Sequence, residues 1–312
     1  MGTANRVQSI ILHMIWSIRM ICNDCPRRCG AERSENRVGG VCLSPALPRI
    51  ARAAPHYGEE PCISGERGSG TVFFSGCNLR CVFCQNHEIS RGKVGETVTV
   101  ERLSDIFLEL RDQNVHNINL VTGSHFVSPI AEALERAKLD IPVVWNSSGY
   151  DSVESLRQLD GLVQVYMPDM KYMDASLARR YSAASDYPEV AMAAIAEMVR
   201  QRGKFVLDED DMLVSGVLIR HLILPENEEN SRKVIDFVAE NYPGDTVLFS
   251  LMCQFTPMPG TEKYPELQHT VSAEMNDRLC DYMAERGIEW GFFQEPEAAG
   301  EDMIPEFDLT GV

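Results

Sequence analysis

Six short apolar runs alternate with amphipathic helical ones, after a first seventy residues crowded with Cys, Arg, Gly and Pro. Together these predict an α/β fold, a partial (βα)6 TIM-like barrel with a Cys-rich N-terminal extension. Strands are expected at 71–75 (TVFFS), 117–121 (NINLV), 142–146 (PVVWN), 162–166 (LVQVY), 217–224 (VLIRHLIL) and 246–251 (TVLFSL). Runs that are apolar throughout mark strands covered on both faces, as parallel sheets are. Helices are expected at 100–112, 128–137, 152–158, 175–183, 189–202, 231–241 and 272–286, between and after the strands.

Three zones follow: a Cys-rich extension at 1–70, the barrel at 71–255, and a C-terminal helix with an acidic tail at 256–312. The first zone has little periodicity and needs metal or docking to hold a shape. The tail, with Glu295 to Asp308, reads as solvated surface.

The chain has 312 residues, with 46 acidic against 29 basic side chains and a net charge of -17. A phosphate backbone or an anionic bilayer would be repelled by most of such a surface, so no nucleic-acid or membrane partner is expected. No apolar run reaches the roughly 18 residues of a membrane-spanning helix. The stretch 10–21 (IILHMIWSIRMI) is broken by His13 and Arg19 and runs into cysteines, which argues for a short helix or extension rather than a signal peptide. Met20 is an alternative start to Met1.

Seven of the ten cysteines fall in two groups: Cys22, Cys25, Cys29 and Cys42, then Cys77, Cys81 and Cys84. Tight spacing in a long chain favours metal ligation in a reducing cytosol over disulfides, and the expected location is cytoplasmic.

The second group is a C-x3-C-x2-C loop, GCNLRCVFCQN, directly after the first barrel strand. Catalytic groups of such barrels sit in the loops at strand C-termini. Three thiolates can hold three corners of a [4Fe-4S] cluster, leaving one iron for another ligand. The alternative is a zinc site completed by His87.

SGCNLRCVFCQN resembles the signature of the radical S-adenosylmethionine superfamily. The segments CPRRCG, HYGEEPCISG, NLVTGSH, NSSGYDS, MPDMKY and RHLILP extend the likeness, over about 22–259, to an uncharacterised branch related to pyruvate formate-lyase activating enzyme. The resemblance implies that Cys77, Cys81 and Cys84 hold a [4Fe-4S] cluster whose open iron binds the amino and carboxylate groups of S-adenosylmethionine. An electron then splits the sulfonium, and the 5'-deoxyadenosyl radical takes a hydrogen atom from the substrate. It implies a reducing partner such as flavodoxin or ferredoxin, and a protein substrate if the reaction is glycyl-radical activation. It further implies that Phe83 lies near the adenine. Thr122 and Gly123 stand where the relatives have a Gly-Gly-Glu-Pro loop for the amino group, and the Glu is missing. Asn146, Asp169, Lys171 and Arg220 are placed near the cofactor, with Gln254 a weaker candidate. Asp169 and Lys171, at i and i+2 of an extended segment, should face one side.

Blander readings stand beside these. Asp169 and Lys171 suit a structural ion pair, Asn146 a turn cap, and His125 a satisfied loop histidine. His221 should face away from Arg220. Cys22, Cys25, Cys29 and Cys42 suit a second site for zinc or an auxiliary iron–sulfur cluster, with Arg27 and Arg28 beside the thiolates. Against the enzymatic reading stands a non-catalytic iron–sulfur or zinc-binding protein.

Overall fold

The computed structural model describes residues 20–35, 37–293 and 304–312. The apolar run at 10–21 lies outside the described residues except for its last two. β1 (Met20–Cys22) and β2 (Ala31–Arg33) form a small antiparallel ribbon. β3 (Arg49–His56), α1 (Pro61–Ser64) and β4 (Ser69–Phe74) follow, then α2 (His87–Ser90), β5 (Glu96–Thr97) and α3 (Val100–Arg111). The repeating part runs β6 (Ile118–Val121), α4 (Val127–Ala137), β7 (Val143–Ser147), α5 (Val153–Arg157), β8 (Val165–Pro168), α6 (Ala175–Ser182) and α7 (Tyr187–Arg202). β9 (Val206–Leu207), β10 (Leu213–Leu222), α8 (Glu228–Asn241), β11 (Leu248–Met252), α9 (Ala273–Glu285) and β12 (Gly291–Phe293) complete it.

The main sheet has the order β12-β11-β10-β8-β7-β6-β4-β3-β5, and it is open. β4, β6, β7, β8, β10 and β11 are the six expected strands, each parallel to its neighbour. The sequence reading missed four additions, of which the two-residue β5 and β9 are the smaller. β12 is a seventh parallel strand beside β11, and β3 continues the sheet antiparallel to β4. β3 lies within 1–70, so the extension shares the barrel's sheet.

Side-chain alternation sorts each strand into two faces. Val72, Phe74, Leu120, Trp145, Tyr166, Ile219 and Phe249 pack with Leu103, Phe107, Ile130, Leu134, Ile195 and Ile235 of the helices. The opposite face fills the lumen, where Val144, Val165, Met167, Leu213, Leu218 and Leu248 close on Cys62 and Ile63 of α1. That short helix is a floor plug, tied in by Asn117 Nδ2 donating to the Ile63 carbonyl at 2.7 Å.

The end of the chain is not free acidic surface. Leu309 N–H donates to the Ala51 carbonyl and Ala53 N–H to that of Thr310, at 3.1 and 2.8 Å, so the terminus lies along β3. Phe307 meets the edge of Phe73 at 5.5 Å, and Asp308 pairs with Arg52 at 2.7 Å. Phe307 anchors 304–312 on β3, while Glu306 and Asp308 stay exposed, as expected of a solvated acidic surface.

The upper ends of β7 and β8 are stitched at one point. Tyr187 Oη donates to the carbonyls of Ser148 and Asp169 at 2.8 Å each and accepts the Lys171 N–H at 2.9 Å. Gly149 crosses there with φ +74°, and a Cβ would lie 2.2 Å from the Asp169 carbonyl oxygen. Gly149→Ala should lower stability by more than the roughly 1–2 kcal/mol of a left-handed backbone alone. Urea denaturation would read this, and an unchanged midpoint would contradict the crossing.

Candidate active site

The chain leaves β4 through Gly76, whose φ is +88° and whose Cβ would fall 2.2 Å from Ser44 Oγ and 2.5 Å from the Cys42 carbonyl. Only glycine allows the N-terminal segment to press so closely on the loop that follows. In that loop Cys77 and Cys81 are buried and Cys84 is half-buried. Cys77 Sγ accepts the N–H groups of Leu79 and Arg80 at 3.4 Å each. Ser182 Oγ donates to Cys81 Sγ at 3.1 Å, and Val82 N–H to the Tyr181 carbonyl at 2.9 Å. Burial pushes the Cys77 thiol up to about 12 and raises that of Cys84. Such thiols give up their protons only to a strong positive partner, which iron is.

A cavity of about 200 Å³ opens beside the loop, lined by Cys77, Cys81, Cys84, Phe83, Thr122 and Asn146, and by Asp169, Lys171 and Arg220. Of the expected residues only Gly123 is not on its wall. A Cβ there would meet the Trp145 ring and Ile130 at 2.8 Å, on the helix side. Thr122 has φ +62°, rare for a β-branched residue and held by its N–H bond to the Asn146 carbonyl at 2.9 Å. Phe83 joins Tyr172, Tyr181 and Phe255 edge to face at 6.1–6.4 Å. Ile304 and Pro305 of the returning terminus stand at the same cavity, as does Gln254.

The polar wall is one connected network. Lys171 Nζ pairs with Asp169 at 2.6 Å, and Arg220 pairs with the other oxygen of Asp169 at 3.0 Å. Arg220 Nη2 donates to Asn146 Oδ1 at 2.8 Å and Nη1 to Glu59 at 3.0 Å. Glu59 Oε1 also accepts from Asn146 and Asn119 at 2.9 and 3.0 Å. Burial by itself would raise the Asp169 carboxyl, but Lys171 and Arg220 outweigh it and hold it below its ordinary range. Asp169 and Lys171 thus share a side and form an ion pair, and that pair faces the cavity. Asn146 takes part in this network rather than capping its turn.

Glu59 and Glu60 were missed from sequence. Glu60 is buried, accepts Ser250 Oγ at 2.8 Å, and is raised chiefly by burial. The signal was present in HYGEEPCISG, where two acids precede a proline and an apolar pair; only the fold shows that this segment enters the lumen. The two histidines are structural. His221 holds the Met170 carbonyl at 2.6 Å and Ser231 Oγ at 2.9 Å, on the face away from Arg220, and burial lowers it to about 4. His125 holds the Ser75 carbonyl at 3.1 Å and is lowered by burial to about 3.

Of the N-terminal cysteines, Cys22, Cys25 and Cys42 are buried and Cys29 is exposed. Burial, with Cys42, Cys22 and Cys29 as nearby like charges, pushes the Cys25 thiol up to about 11. The cation beside them is Arg33, not Arg27 or Arg28. Arg33 is fully buried, donates to Cys42 Sγ at 3.8 Å and to the His125 carbonyl at 3.1 Å, and pairs with Asp24 at 3.2 Å. Arg28 instead meets Glu154 at the surface. Arg27 reaches the cluster loop, donating to the carbonyls of Asn78 at 2.8 Å and Ser182 at 2.8 Å. None of the ten cysteines is in a disulfide. Among the described residues no three Cys, His, Asp or Glu side chains converge as one metal ion requires. A cubane asks less, since each of its thiolates takes a different iron.

Two outcomes follow from the buried charges. Arg220→Met leaves Glu59 without a cation and Asp169 with Lys171 alone, and should cost about 3–5 kcal/mol in urea unfolding; a loss under about 1 kcal/mol, the scale of a surface pair, would contradict the network. His125 and His221 bind protons below about pH 6.5 only in the unfolded chain. Stability should therefore be complete above that pH and fall towards pH 4, by up to about 1.4 kcal/mol per pH unit for each histidine. A flat profile over this window in the wild type would contradict the buried neutral state.

A family model described as the radical SAM superfamily matches residues 71–238. An uncharacterized protein of Methanocaldococcus jannaschii is 30% identical over 271 residues, covering 83% of this chain and 73% of its own. Among solved structures, a domain of the pyruvate-formate lyase-activating enzyme of Bacteroides vulgatus is 14% identical with TM-score 0.38, over 54% of this chain and 91% of that one. Streptococcus suis SuiB bound to S-adenosylmethionine is 13% identical with TM-score 0.48, over 70% of this chain and 48% of SuiB. SuiB bound to its precursor peptide SuiA gives 14% and 0.47, over 70% and 46%. Among the described residues no helix is long and apolar enough to cross a membrane.

Proposed function

Because the chain belongs to the radical S-adenosylmethionine superfamily, whose members use a [4Fe-4S] cluster and S-adenosylmethionine, we propose that it abstracts hydrogen from a substrate at the cavity beside Cys77, Cys81 and Cys84. One observation carries the proposal: the three thiols and the Asp169–Lys171–Arg220–Asn146 network line the same cavity. When bound, cluster and cofactor supply reductive cleavage of the sulfonium and a 5'-deoxyadenosyl radical.

The chain's own residues prepare that chemistry. Cys77, Cys81 and Cys84 would hold the cluster through three of its irons, which would leave one iron for the cofactor. Lys171 offers its ammonium to the carboxylate, and Asp169 keeps that ammonium charged and aimed. Arg220 orients Asp169 and Asn146, and Glu59 fixes Arg220 from below. The Thr122 backbone and hydroxyl take the place of the missing Glu loop, with Gly123 keeping the turn tight behind it. Phe83 presents an apolar edge to the adenine. Phe83 and Phe255 on the cavity wall, with Tyr172 and Tyr181 packed edge to face against Phe83, exclude water from a reactive intermediate. The electron comes from a one-electron donor of the flavodoxin or ferredoxin kind, which suits a cytoplasmic protein none of whose ten cysteines is in a disulfide.

Likeness to pyruvate formate-lyase activating enzyme adds a narrower reading, hydrogen abstraction from a backbone glycine of a partner enzyme. It rests on the shared motifs alone.

The test is cofactor cleavage. The anaerobically reconstituted, dithionite-reduced protein should release 5'-deoxyadenosine from S-adenosylmethionine, read by chromatography. Cys81→Ala should lower release by on the order of 100-fold or more, since even outer contacts of a metal centre are worth 10–100-fold. No release by the wild type would overturn the proposal in favour of a non-catalytic metal protein.

A further inference from the structure

We infer that Cys22, Cys25, Cys29 and Cys42 bind a second iron–sulfur cluster, which relays single electrons from a low-potential protein donor to the cluster at Cys77, Cys81 and Cys84. The site follows from the N-terminal cysteines themselves; the relay rests on the function proposed above.

The fold gathers the four sulfurs although they span twenty-one positions of sequence. Cys22 ends β1, and Cys25 and Cys29 lie in the turn to β2. A second turn, closed by Gly39 N–H to the Ser44 carbonyl at 3.1 Å and by Ser44 N–H to the Gly39 carbonyl at 3.2 Å, returns Cys42 to them. Gly40 sits at its tip with φ +75°. A Cβ there would lie 3.1 Å from Cys29 Sγ and 3.7 Å from Cys42 Sγ, so both sulfurs flank the tip of this turn.

The surroundings suit an anionic guest. Arg33 is 0% exposed, donates to Cys42 Sγ, and has a buried Nε with no partner. A guanidinium is not buried without compensating charge and acceptors. Asp24 supplies part, and thiolates with bridging sulfides would supply the remainder. Four thiolates can be spread over the several irons of one cluster.

The position explains the use. Gly76, next to Cys77, is pressed against the Cys42 carbonyl and Ser44 Oγ. Arg80 Nη1, inside the first loop, donates to the Val41 carbonyl at 3.3 Å. Arg27, between Cys25 and Cys29, donates to the Asn78 carbonyl and, at 3.4 Å, to that of Leu79. The segments that carry the two cysteine sets thus touch at three residues, Gly76, Arg80 and Arg27. Cys77 and Cys81 are buried, whereas Cys29 is at the surface, which gives a donor access to the N-terminal set. In each transfer the donor loses one electron and the N-terminal cluster gains it. That cluster is reoxidised as the inner one is reduced, and no proton or bond is involved.

The full chain carrying Cys77→Ala, Cys81→Ala and Cys84→Ala, reconstituted anaerobically with iron and sulfide, tests the site apart from the chemistry. It should keep about four irons and four sulfides, with a reduced-state EPR signal that S-adenosylmethionine does not alter. Zinc without sulfide, or no metal, would overturn the second cluster whatever the inner one does. The chain with Cys25→Ala and Cys42→Ala tests the relay. It should keep the inner cluster and form 5'-deoxyadenosine with dithionite, while losing the reaction driven by reduced flavodoxin. Equal rates with flavodoxin before and after the substitutions, or equal loss with both reductants, would overturn the relay. Failure of the wild type itself with dithionite would instead sink the proposed function and leave the metal result standing.

Discussion

A count of ligands governs this protein: three thiols, and not four, emerge from the end of β4 into a shared cavity. Every neighbouring element serves to keep that trio in place. Glycine at 76 lets the N-terminal segment close on the loop, Arg27 holds the loop's carbonyls, and Ser182 at the end of α6 hydrogen-bonds Cys81. A loop so clamped from two sides presents its sulfurs in one orientation without using regular secondary structure of its own. Burial raises the thiols of Cys77 and Cys84, so there metal binding and deprotonation are one event, and loading should release protons.

The polar wall is governed by charge balance. Lys171 and Arg220 contribute two positive charges, and Asp169 and Glu59 two negative ones, in a closed set of ion pairs. Such a set has no net charge to be solvated, which makes its burial tolerable. Glu60 would add an unmatched negative charge, and burial raises its carboxyl towards the neutral form. The floor plug that carries both acids is thus part of the wall. An arginine tied to carboxylates and an amide on several sides is held in one rotamer, and it in turn fixes the strand-end groups that face the cofactor space.

Much of this was legible from sequence, for identifiable reasons. The six parallel strands announce themselves because one face packs on helices and the other on lumen residues, leaving runs such as TVFFS and TVLFSL apolar throughout. The cysteine loop is legible because ligand spacing is local. Asp169 and Lys171 were legible as a pair because extended alternation puts i and i+2 on one side. What was not legible depends on tertiary contact. β12 is a short edge strand, and β3 lies between β4 and the two-residue β5, where RIARAAPH does not alternate cleanly. Glu59 meets Arg220 across 161 positions of sequence, a separation no local pattern encodes. Arg33 looked like any other arginine until the fold buried it beside Cys42. The docking of the acidic tail on β3 was not legible because its charges outnumber its one anchoring ring, Phe307.

The most direct test of the open iron is electron–nuclear double resonance on the reduced protein with S-adenosylmethionine carrying 15N in its amino group and 17O in its carboxylate. Hyperfine coupling of both labels to the cluster is the result this account requires. A cluster that forms with full iron and shows neither coupling would mean that the fourth corner is already taken, and would contradict it.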